Sequence, residues 1–297
     1  MNAKINSKMK LSVIIQKVDA YERLMRLDKP IGILLLLWPT LWALLIAGQG
    51  KPDWIITLIF VTGTVLMRSA GCVMNDIADS QYDGLVTRTQ HRPLVKNEVS
   101  KKEAYILAVV LSLMAFGLVC TLNILTIKLS LVALLLAASY PFTKRFFAIP
   151  QAYLGIAFGW GIPMAFAAIL GYVPAVAWVL LLANIAWAIA YDTEYAMVDR
   201  DDDLKIGIKS SAITLGRHDL AAIMICYGVM LLLLVFAGKW LAMHYAYYIG
   251  LMLAAGIAIY HSYLIRKREK DNCFKAFLGN NWIGFSVFSG LVAQYLI

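Results

Sequence analysis

Two clusters of acidic side chains are the residues of this 297-residue chain best suited to chemistry. The first lies in residues 75–83 and contains Asn75, Asp76, Asp79 and Asp83. If the preceding helix continues through it, Asn75, Asp79 and Asp83 share one stripe, with Asp76 one position away. Carboxylates so close repel one another, and more strongly beside a low-dielectric membrane, so they require a cation. Because the available ligands are oxygen atoms, the cluster predicts a Mg²⁺ site.

A plainer interpretation of the first cluster is a set of solvated carboxylates in a loop or at a helix C-terminus. The C-terminal end of a helix disfavours anions, which weakens that interpretation. The metal site is therefore favoured.

The second cluster lies in residues 191–203, where Asp192, Asp199 and Asp203 fall on one helical face. The same number of positions separates Asp76 from Asp192 and Asp83 from Asp199. This shared offset predicts an internal repeat in which spans one to four correspond to spans five to eight. Both clusters would then lie on the same side of the membrane and form one site for two Mg²⁺ ions.

Basic residues follow both clusters and also occur in a short connection between them. Arginine pairs bidentately with phosphate oxygens, so these cations predict that a metal-bound polyphosphate is held from both sides. The alternative is the ordinary positive charge of cytoplasmic loops. The residues are Arg88, Arg92, Lys144, Arg145, Lys205 and Lys209.

Arg68 and Tyr140 are two further candidates. Arg68 lies inside an apolar run, where a charge is costly and faces a cavity or a partner. It predicts either a structural ion pair with one of the aspartates or a contact with substrate. Tyr140 lies at a helix end, where a tyrosine is more often part of the aromatic belt.

The composition indicates an all-α integral membrane protein, since 61% of residues are hydrophobic and only 15% are charged. We predict one bundle of about nine transmembrane helices in a single domain, residues 21–297, after a basic tail of residues 1–20 that lies on the inner leaflet or is disordered. Each span needs about 20 apolar residues. The predicted spans are 31–48, 54–74, 104–122, 124–140, 150–170, 173–190, 220–238, 245–265 and 278–297.

Positive charge concentrates at the N-terminus and in alternate connections, whereas the other connections offer only Lys51, Lys128 and Lys239. This asymmetry predicts a cytoplasmic N-terminus, cytoplasmic acidic clusters and a periplasmic C-terminus. Topology and anionic lipid explain the net charge of +9, so we expect no nucleic-acid partner. His244 and His261, near span ends, are expected at the interface, and the four scattered cysteines predict neither a disulfide nor a metal site.

Four segments together resemble those of the intramembrane aromatic prenyltransferases of the UbiA type: NDIADSQYD, TRTQHRPL, YPFTKR and YDTEYAMVDRDDDLKIGIKS. The likeness extends from about residue 21 to the C-terminus and includes RLDKPIG before the first span. It is strongest to members that act on 4-hydroxybenzoate in ubiquinone biosynthesis. The resemblance implies a polyprenyl diphosphate donor, 4-hydroxybenzoate as acceptor, Mg²⁺ as cofactor and a bacterial inner membrane as location.

The resemblance also implies roles for individual residues. Catalysis would involve Asp76, Asp79, Asp83, Asp192, Asp199, Asp203 and Tyr140. Binding of Mg²⁺ would fall to Asn75, Asp76, Asp79, Asp83, Asp199 and Asp203. Contacts with the substrates would come from Arg68, Arg88, Arg92, Lys144, Arg145, Tyr191 and Lys209.

Two other functions remain open from the sequence. A relative with another aromatic or quinone-precursor acceptor would carry the same motifs. A divalent-cation transporter would also place acidic residues on repeated helices, but its site would lie near the bilayer midplane. The sequence indicates neither the length of the prenyl chain nor the oligomeric state of the protein.

Overall fold

Helices form nearly all of the part of the chain that the structure describes. This computed structural model describes residues 2–81, 83–85, 88–143, 145–207 and 209–297. Within these ranges there is no strand. The α-helices there are α1 (Asn2–Met25), α2 (Ile31–Ala47), α3 (Trp54–Ala78), α4 (Lys101–Val119), α5 (Ile124–Thr143), α6 (Pro150–Gly159), α7 (Gly161–Leu170), α8 (Ala175–Ile206), α9 (Ser211–Leu215), α10 (Asp219–Trp240), α11 (Tyr245–Leu264) and α12 (Lys270–Leu296).

Eight helical segments of the described ranges are long and apolar enough to cross a membrane. The pair α6 and α7 forms one of them, and the pair α9 and α10 another. The apolar helix α2, with 17 residues, supplies a ninth. The predicted all-α bundle of about nine spans is confirmed, whereas the four-helix repeat within it stays a prediction.

Several helices extend beyond the apolar runs from which their spans were predicted. The clearest case is α8, which continues to Ile206 and so carries the whole second acidic cluster. It ends at Gly207, whose φ of 72° is left-handed and whose N–H binds the Asp203 carbonyl. Hydropathy locates the part of a helix in lipid, but backbone hydrogen bonding continues into water.

The fifth span is broken at Trp160, between α6 and α7. Pro163 lies in the first turn of α7 and has no N–H to give to the Gly159 carbonyl four residues earlier. The break is therefore a consequence of the proline. A second proline, Pro39, lies within the continuous helix α2.

Close contact between helices depends on small residues at two places. A Cβ at Gly155 of α6 would lie 2.8 Å from Ile185 Cα of α8, and a Cβ at Gly250 of α11 would lie 2.8 Å from Gly290 Cα of α12. Only glycine permits this approach, as is common between membrane helices. The resulting packing holds α8 and α12 next to the centre of the bundle.

The N-terminal helix α1 packs onto the bundle with its last two turns. Ala20 and Leu24 are buried against Val73 and Ile77 of α3. The helix α1 thus continues past residue 20, the predicted boundary between the basic tail and the domain. That boundary stays a prediction.

Candidate active site

The first acidic cluster lies where α3 ends. Asn75 Nδ2 donates to Asp79 Oδ2 over 3.1 Å, so these two side chains do share one face. The helix, however, ends at Ala78, and Asp83 begins a separate 3₁₀ turn. The expectation that one helix carries Asn75, Asp79 and Asp83 is therefore wrong. Asp76 and Asp79 thus lie in the last turn and at the C-cap of α3, where carboxylates are unfavourable unless cations accompany them.

Asp76 is held by two arginines. Its carboxylate is 1% exposed, and Arg26 Nη2 lies 2.9 Å from each of its oxygens. Arg92 Nη1 lies 3.0 Å from Asp76 Oδ1 and 2.6 Å from Asp83 Oδ2. A buried carboxylate needs such partners, because an unpaired buried charge is strongly destabilising.

Asp83 lies in the loop outside the spans. Its environment disfavours the charged carboxylate even though Asp83 pairs with Arg92. Burial raises the pKa of Asp83 to about 6, while Arg92 opposes the rise and the carboxylate of Asp76 adds to it. Arg92 therefore does not fully offset the cost of burying the charged Asp83 carboxylate. A further cation at this position would be favoured.

Arg88 joins the two acidic clusters. Its Nε lies 3.0 Å from Asp199 Oδ1 and its Nη2 lies 2.6 Å from Asp199 Oδ2, a bidentate pair. The guanidinium also lies 4.8 Å from the centre of the Tyr195 ring. The loop after α3 and the charged end of α8 are thus in direct contact, and we call this end of the bundle the acidic end.

A cavity of about 1230 Å³ opens beside the acidic end and extends into the bundle. Its polar wall contains many of the residues chosen from the sequence, while the remaining wall is apolar. The chosen residues that line it are Arg68, Asn75, Asp76, Arg88, Arg92, Tyr140, Tyr191 and Asp192. Apolar lining side chains include Leu35, Phe60, Phe158 and Met164.

The other chosen residues lie around this wall. Asp79, Asp83 and Asp199 contact the lining residues Asn75, Arg92 and Arg88 respectively. Asp203 is one turn beyond Asp199 on α8.

Two of the chosen cations contact the ends of neighbouring helices. Arg145 Nη2 donates to the Ala78 carbonyl over 3.4 Å, and Lys209 Nζ donates to the Phe146 carbonyl over 3.4 Å. Lys144 lies outside the described residues.

Among the described residues, Arg68 contacts neutral groups and forms no ion pair with an aspartate. Its Nη1 contacts the Cys72 sulfur, and its guanidinium lies 5.8 Å from the centre of the Phe158 ring. Its Nε is buried and has no hydrogen-bond partner among the described residues. A Cβ at Gly32 of α2 would lie only 2.5 Å from Arg68 Nη2, so glycine is what leaves room for this side chain.

Sequence reasoning missed three contributors to the site. Arg26 is one of the N-terminal basic residues whose charge is attributed to membrane topology, although it precedes the first span within the motif RLDKPIG. Tyr195 lies in the second cluster and carries Arg88 on its ring. Phe158 had no signal, because its place beside Arg68 depends on the packing of α6.

The donor set of the acidic end fits Mg²⁺. Carboxylate and amide oxygens are hard ligands, and the set contains no sulfur or imidazole. Among the described residues, no three carboxylate, histidine or cysteine side chains are already grouped to hold a metal ion. Asp76, Asp83 and Asp199 are instead each paired with an arginine.

Comparison with known proteins agrees with this arrangement. The model of the UbiA prenyltransferase family matches residues 36–286, most of the chain. The chain belongs to the UbiA prenyltransferase family. It is 61% identical over 286 residues to a 4-hydroxybenzoate octaprenyltransferase of Methylobacillus flagellatus, with 96% of this chain and 97% of that one covered. It is 63% identical over 281 residues to the enzyme of the same name from an Azoarcus species, with 95% and 98% covered.

Solved structures of UbiA proteins share the fold. The apo structure of a UbiA homolog from Aeropyrum pernix K1 has a TM-score of 0.77 and 26% identity, covering 88% of this chain and 97% of that one. A UbiA homolog from Archaeoglobus fulgidus, bound to GPP and Mg²⁺, has a TM-score of 0.65 and 18% identity, covering 91% and 99%. At that identity the second likeness concerns the fold alone.

Proposed function

We propose that this chain transfers a polyprenyl group from polyprenyl diphosphate to the ring of 4-hydroxybenzoate, ortho to the hydroxyl, in ubiquinone biosynthesis. The observation that carries the proposal is the cavity, which joins a charged wall to an apolar interior and has Arg68 among its lining side chains. Relatives about 60% identical along nearly the whole chain carry the name of this activity. Family membership sets the cation transporter aside.

The charged wall suits a diphosphate. Arg88, Arg92 and Arg145, with Lys144 and Lys209, provide cations for its oxygens. When bound, Mg²⁺ would be held by Asn75, Asp76, Asp79, Asp83, Asp199 and Asp203 and would neutralise the charge that develops on the departing diphosphate. The arginines that pair with the carboxylates are already placed at the cavity wall, where the leaving group would be.

The interior of the cavity suits an allylic cation. When the allylic C–O bond breaks, positive charge develops on carbon, and it persists only where water is excluded. Tyr140, Phe158, Tyr191 and Tyr195 line the cavity, and aromatic rings stabilise positive charge. The ring carbon ortho to the acceptor hydroxyl then attacks the cation, and loss of the ring proton restores aromaticity.

The acceptor carboxylate requires a cation of its own, and we assign it to Arg68. This side chain lines the cavity, and its Nε is unpaired among the described residues. A carboxylate would satisfy this nitrogen by a charge-assisted hydrogen bond. Gly32, which has no Cβ, gives the guanidinium room against α2.

The prenyl tail is too long for the cavity and needs an exit to lipid. Phe116 of α4 and Leu131 and Leu134 of α5 line the cavity and are also exposed. The gap between α4 and α5 is therefore a path by which the tail reaches the acyl chains. We place the chain in the bacterial inner membrane, with the acidic end on the cytoplasmic side.

A product assay tests this function directly. Purified protein is incubated with isoprenyl diphosphates of several lengths and a panel of aromatic acids and phenols, with and without Mg²⁺. We expect prenylated 4-hydroxybenzoate with the new C–C bond ortho to the hydroxyl, and one diphosphate released per product. Transfer only to another acceptor would support the alternative within the family. Failure to transfer to any acceptor would refute the proposal.

A further inference from the structure

Glu194 belongs to the second acidic cluster but has no role in the site described above. Its side chain is fully buried, on the part of α8 that packs against α10 and α12. A glutamate is rarely buried completely unless its polar atoms are satisfied. Its surroundings are therefore informative.

Asn280 of α12 fixes the hydrogen-bond pattern around Glu194. Its Nδ2 donates to Glu194 Oε2 over 2.8 Å and to the Ala276 carbonyl over 3.1 Å. Its Oδ1 accepts from Trp187 Nε1 over 2.8 Å. An indole N–H can only donate and a carbonyl can only accept, so the amide cannot be flipped.

The hydroxyl group of Tyr227 of α10 then indicates whether Glu194 is protonated. Its hydroxyl oxygen lies 2.9 Å from Asn280 Oδ1 and 3.0 Å from Glu194 Oε1, and it has one hydrogen. Asn280 Oδ1 is an acceptor, so that hydrogen must go to it. The second contact needs another hydrogen, which a protonated Glu194 supplies.

Cys226 of α10 and Cys273 of α12 are titratable groups near this network, and His261 of α11 faces the contact directly. Its Nδ1 lies 3.3 Å from the Tyr227 hydroxyl and 3.7 Å from Glu194 Oε1, and the ring is 2% exposed rather than interfacial as predicted. A charged Glu194–His261 pair is the alternative. With the Tyr227 hydrogen given to Asn280, that pair would leave the Tyr227 hydroxyl oxygen and Glu194 Oε1 3.0 Å apart without a hydrogen between them, so the neutral arrangement satisfies more groups.

The same network reaches the cavity through Trp187. The Trp187 ring lies edge-on to the Tyr191 ring, with centroids 5.5 Å apart, and Tyr191 and Asp192 line the cavity. We infer that Glu194 is a positioning residue, a neutral carboxylic acid whose hydrogen bonds to Tyr227 and Asn280 fix the rotation of α8 and so orient Asp192 and Asp199. The inference rests on the proposed function, because the oriented groups are those that serve diphosphate.

Infrared spectroscopy tests the protonation state. The difference spectrum between the full-length protein and Glu194→Gln should contain the carbonyl band of a protonated carboxyl group and lack the corresponding carboxylate bands. A glutamine can donate to Tyr227 and accept from Asn280 as the acid does, so this variant should preserve the network. Carboxylate bands in the difference spectrum would overturn the neutral assignment.

Ligand binding tests the positioning role, with Asn184→Ala as the matched control for Glu194→Ala. Asn184 is also a fully buried polar residue of α8, but it bonds to the Gly155 carbonyl, outside the network. The measurements are the rise in melting temperature produced by Mg²⁺ with inorganic diphosphate, and the Mg²⁺ concentration for half-maximal turnover of folded protein.

For Glu194→Ala we expect the half-maximal Mg²⁺ concentration to rise roughly tenfold or more, as for residues that orient metal ligands. Glu194→Gln should stay within about twofold of the unaltered protein. Asn184→Ala should be less stable but keep its Mg²⁺ requirement. An unchanged requirement in Glu194→Ala, or equal losses in Glu194→Gln, would overturn the inference. If the unaltered protein binds Mg²⁺ and diphosphate but transfers nothing, the proposed function fails while the inference stands.

Discussion

At the scale of single residues, the charged side chains of the site lie in two different kinds of surroundings. The acidic end gathers Asp76, Asp83 and Asp199 with the arginines that pair with them, whereas Arg68 is deeper and contacts a thiol and a ring. A diphosphate carries much charge in a small volume and needs many cations. An aromatic acid carries one carboxylate on an apolar ring and needs one cation in apolar surroundings. The two kinds of site match the two substrates proposed here.

Arg68→Met should therefore change selectivity more than overall activity. We expect the ratio of transfer to 4-hydroxybenzoate over transfer to a phenol without the carboxylate to fall roughly tenfold or more, because the acceptor loses its partner. The measurement is kcat/KM for both acceptors. Arg88 lies in the charged wall of the cavity, where we propose that diphosphate binds. Arg88→Met should therefore reduce transfer to the two acceptors alike. Equal losses in Arg68→Met would assign Arg68 to the structure or to the diphosphate.

Residue types were predictable from the sequence, but their partners were not. The aspartates and the cations after them were identified from spacing alone. The pairs that they form, Arg26 with Asp76 and Arg88 with Asp199, join residues far apart in the chain. In a plausible fold each basic residue could have paired with any of several acidic residues. Only the tertiary packing selects one of these partners.

At the scale of elements, the two acidic clusters are presented differently. The first is divided between the end of α3 and a 3₁₀ turn, while the second lies entirely on α8. Hydropathy predicted both helices, since each has a long apolar run. Hydropathy could not show that α3 ends at its acidic cluster whereas α8 continues through its own. Both clusters are polar, and their acidic residues have similar spacing.

The helix α1 also contributes an element to the site, through Arg26. The chain turns at this residue, which has a φ of 59°, and Arg26 Nη1 donates to the Arg23 carbonyl over 2.6 Å at the end of α1. Its other nitrogen reaches Asp76. The last turn of α1 is thus fixed to the end of α3.

Arg26→Met should lower turnover roughly tenfold or more, because buried Asp76 loses one of its two cations. Lys17→Met is the matched control on the same helix, since Lys17 pairs with Glu103 near the surface. That control should keep turnover within about twofold of the unaltered protein. Steady-state rates per folded protein decide between them. A similar loss in both variants would mean that docking of α1, rather than the contact with Asp76, matters.

At the scale of the whole molecule, the bundle has an apolar outer surface and one polar end. Exposed side chains such as Leu113, Leu135, Leu232 and Met252 lie on α4, α5, α10 and α11, as expected of helices that face lipid. The number of spans followed from composition and hydropathy. The break at Trp160 and the shape of the cavity did not, since they depend on how the helices pack.

The orientation of the bundle can be tested with cysteines at its two ends. In intact cells, an impermeant thiol reagent that enters the periplasm should label the exposed native Cys120, at the end of α4 away from the acidic end. A cysteine at exposed Gln90, in a chain without other cysteines, should react only after the inner membrane is opened. Labelling of position 90 from outside would reverse the orientation and place the acidic end in the periplasm.

The central claim is that the two acidic clusters form one site on a single diphosphate. The decisive measurement is turnover of Asp79→Asn, Asp199→Asn and the double variant, all checked for folding. Each single change should lower turnover by roughly 10²-fold or more, the scale of losing a preorganised electrostatic contact. The double variant should be little worse than the poorer single one, because residues that act as a unit are non-additive. Multiplied defects would indicate independent sites, and near-normal transfer in either single variant would contradict the account.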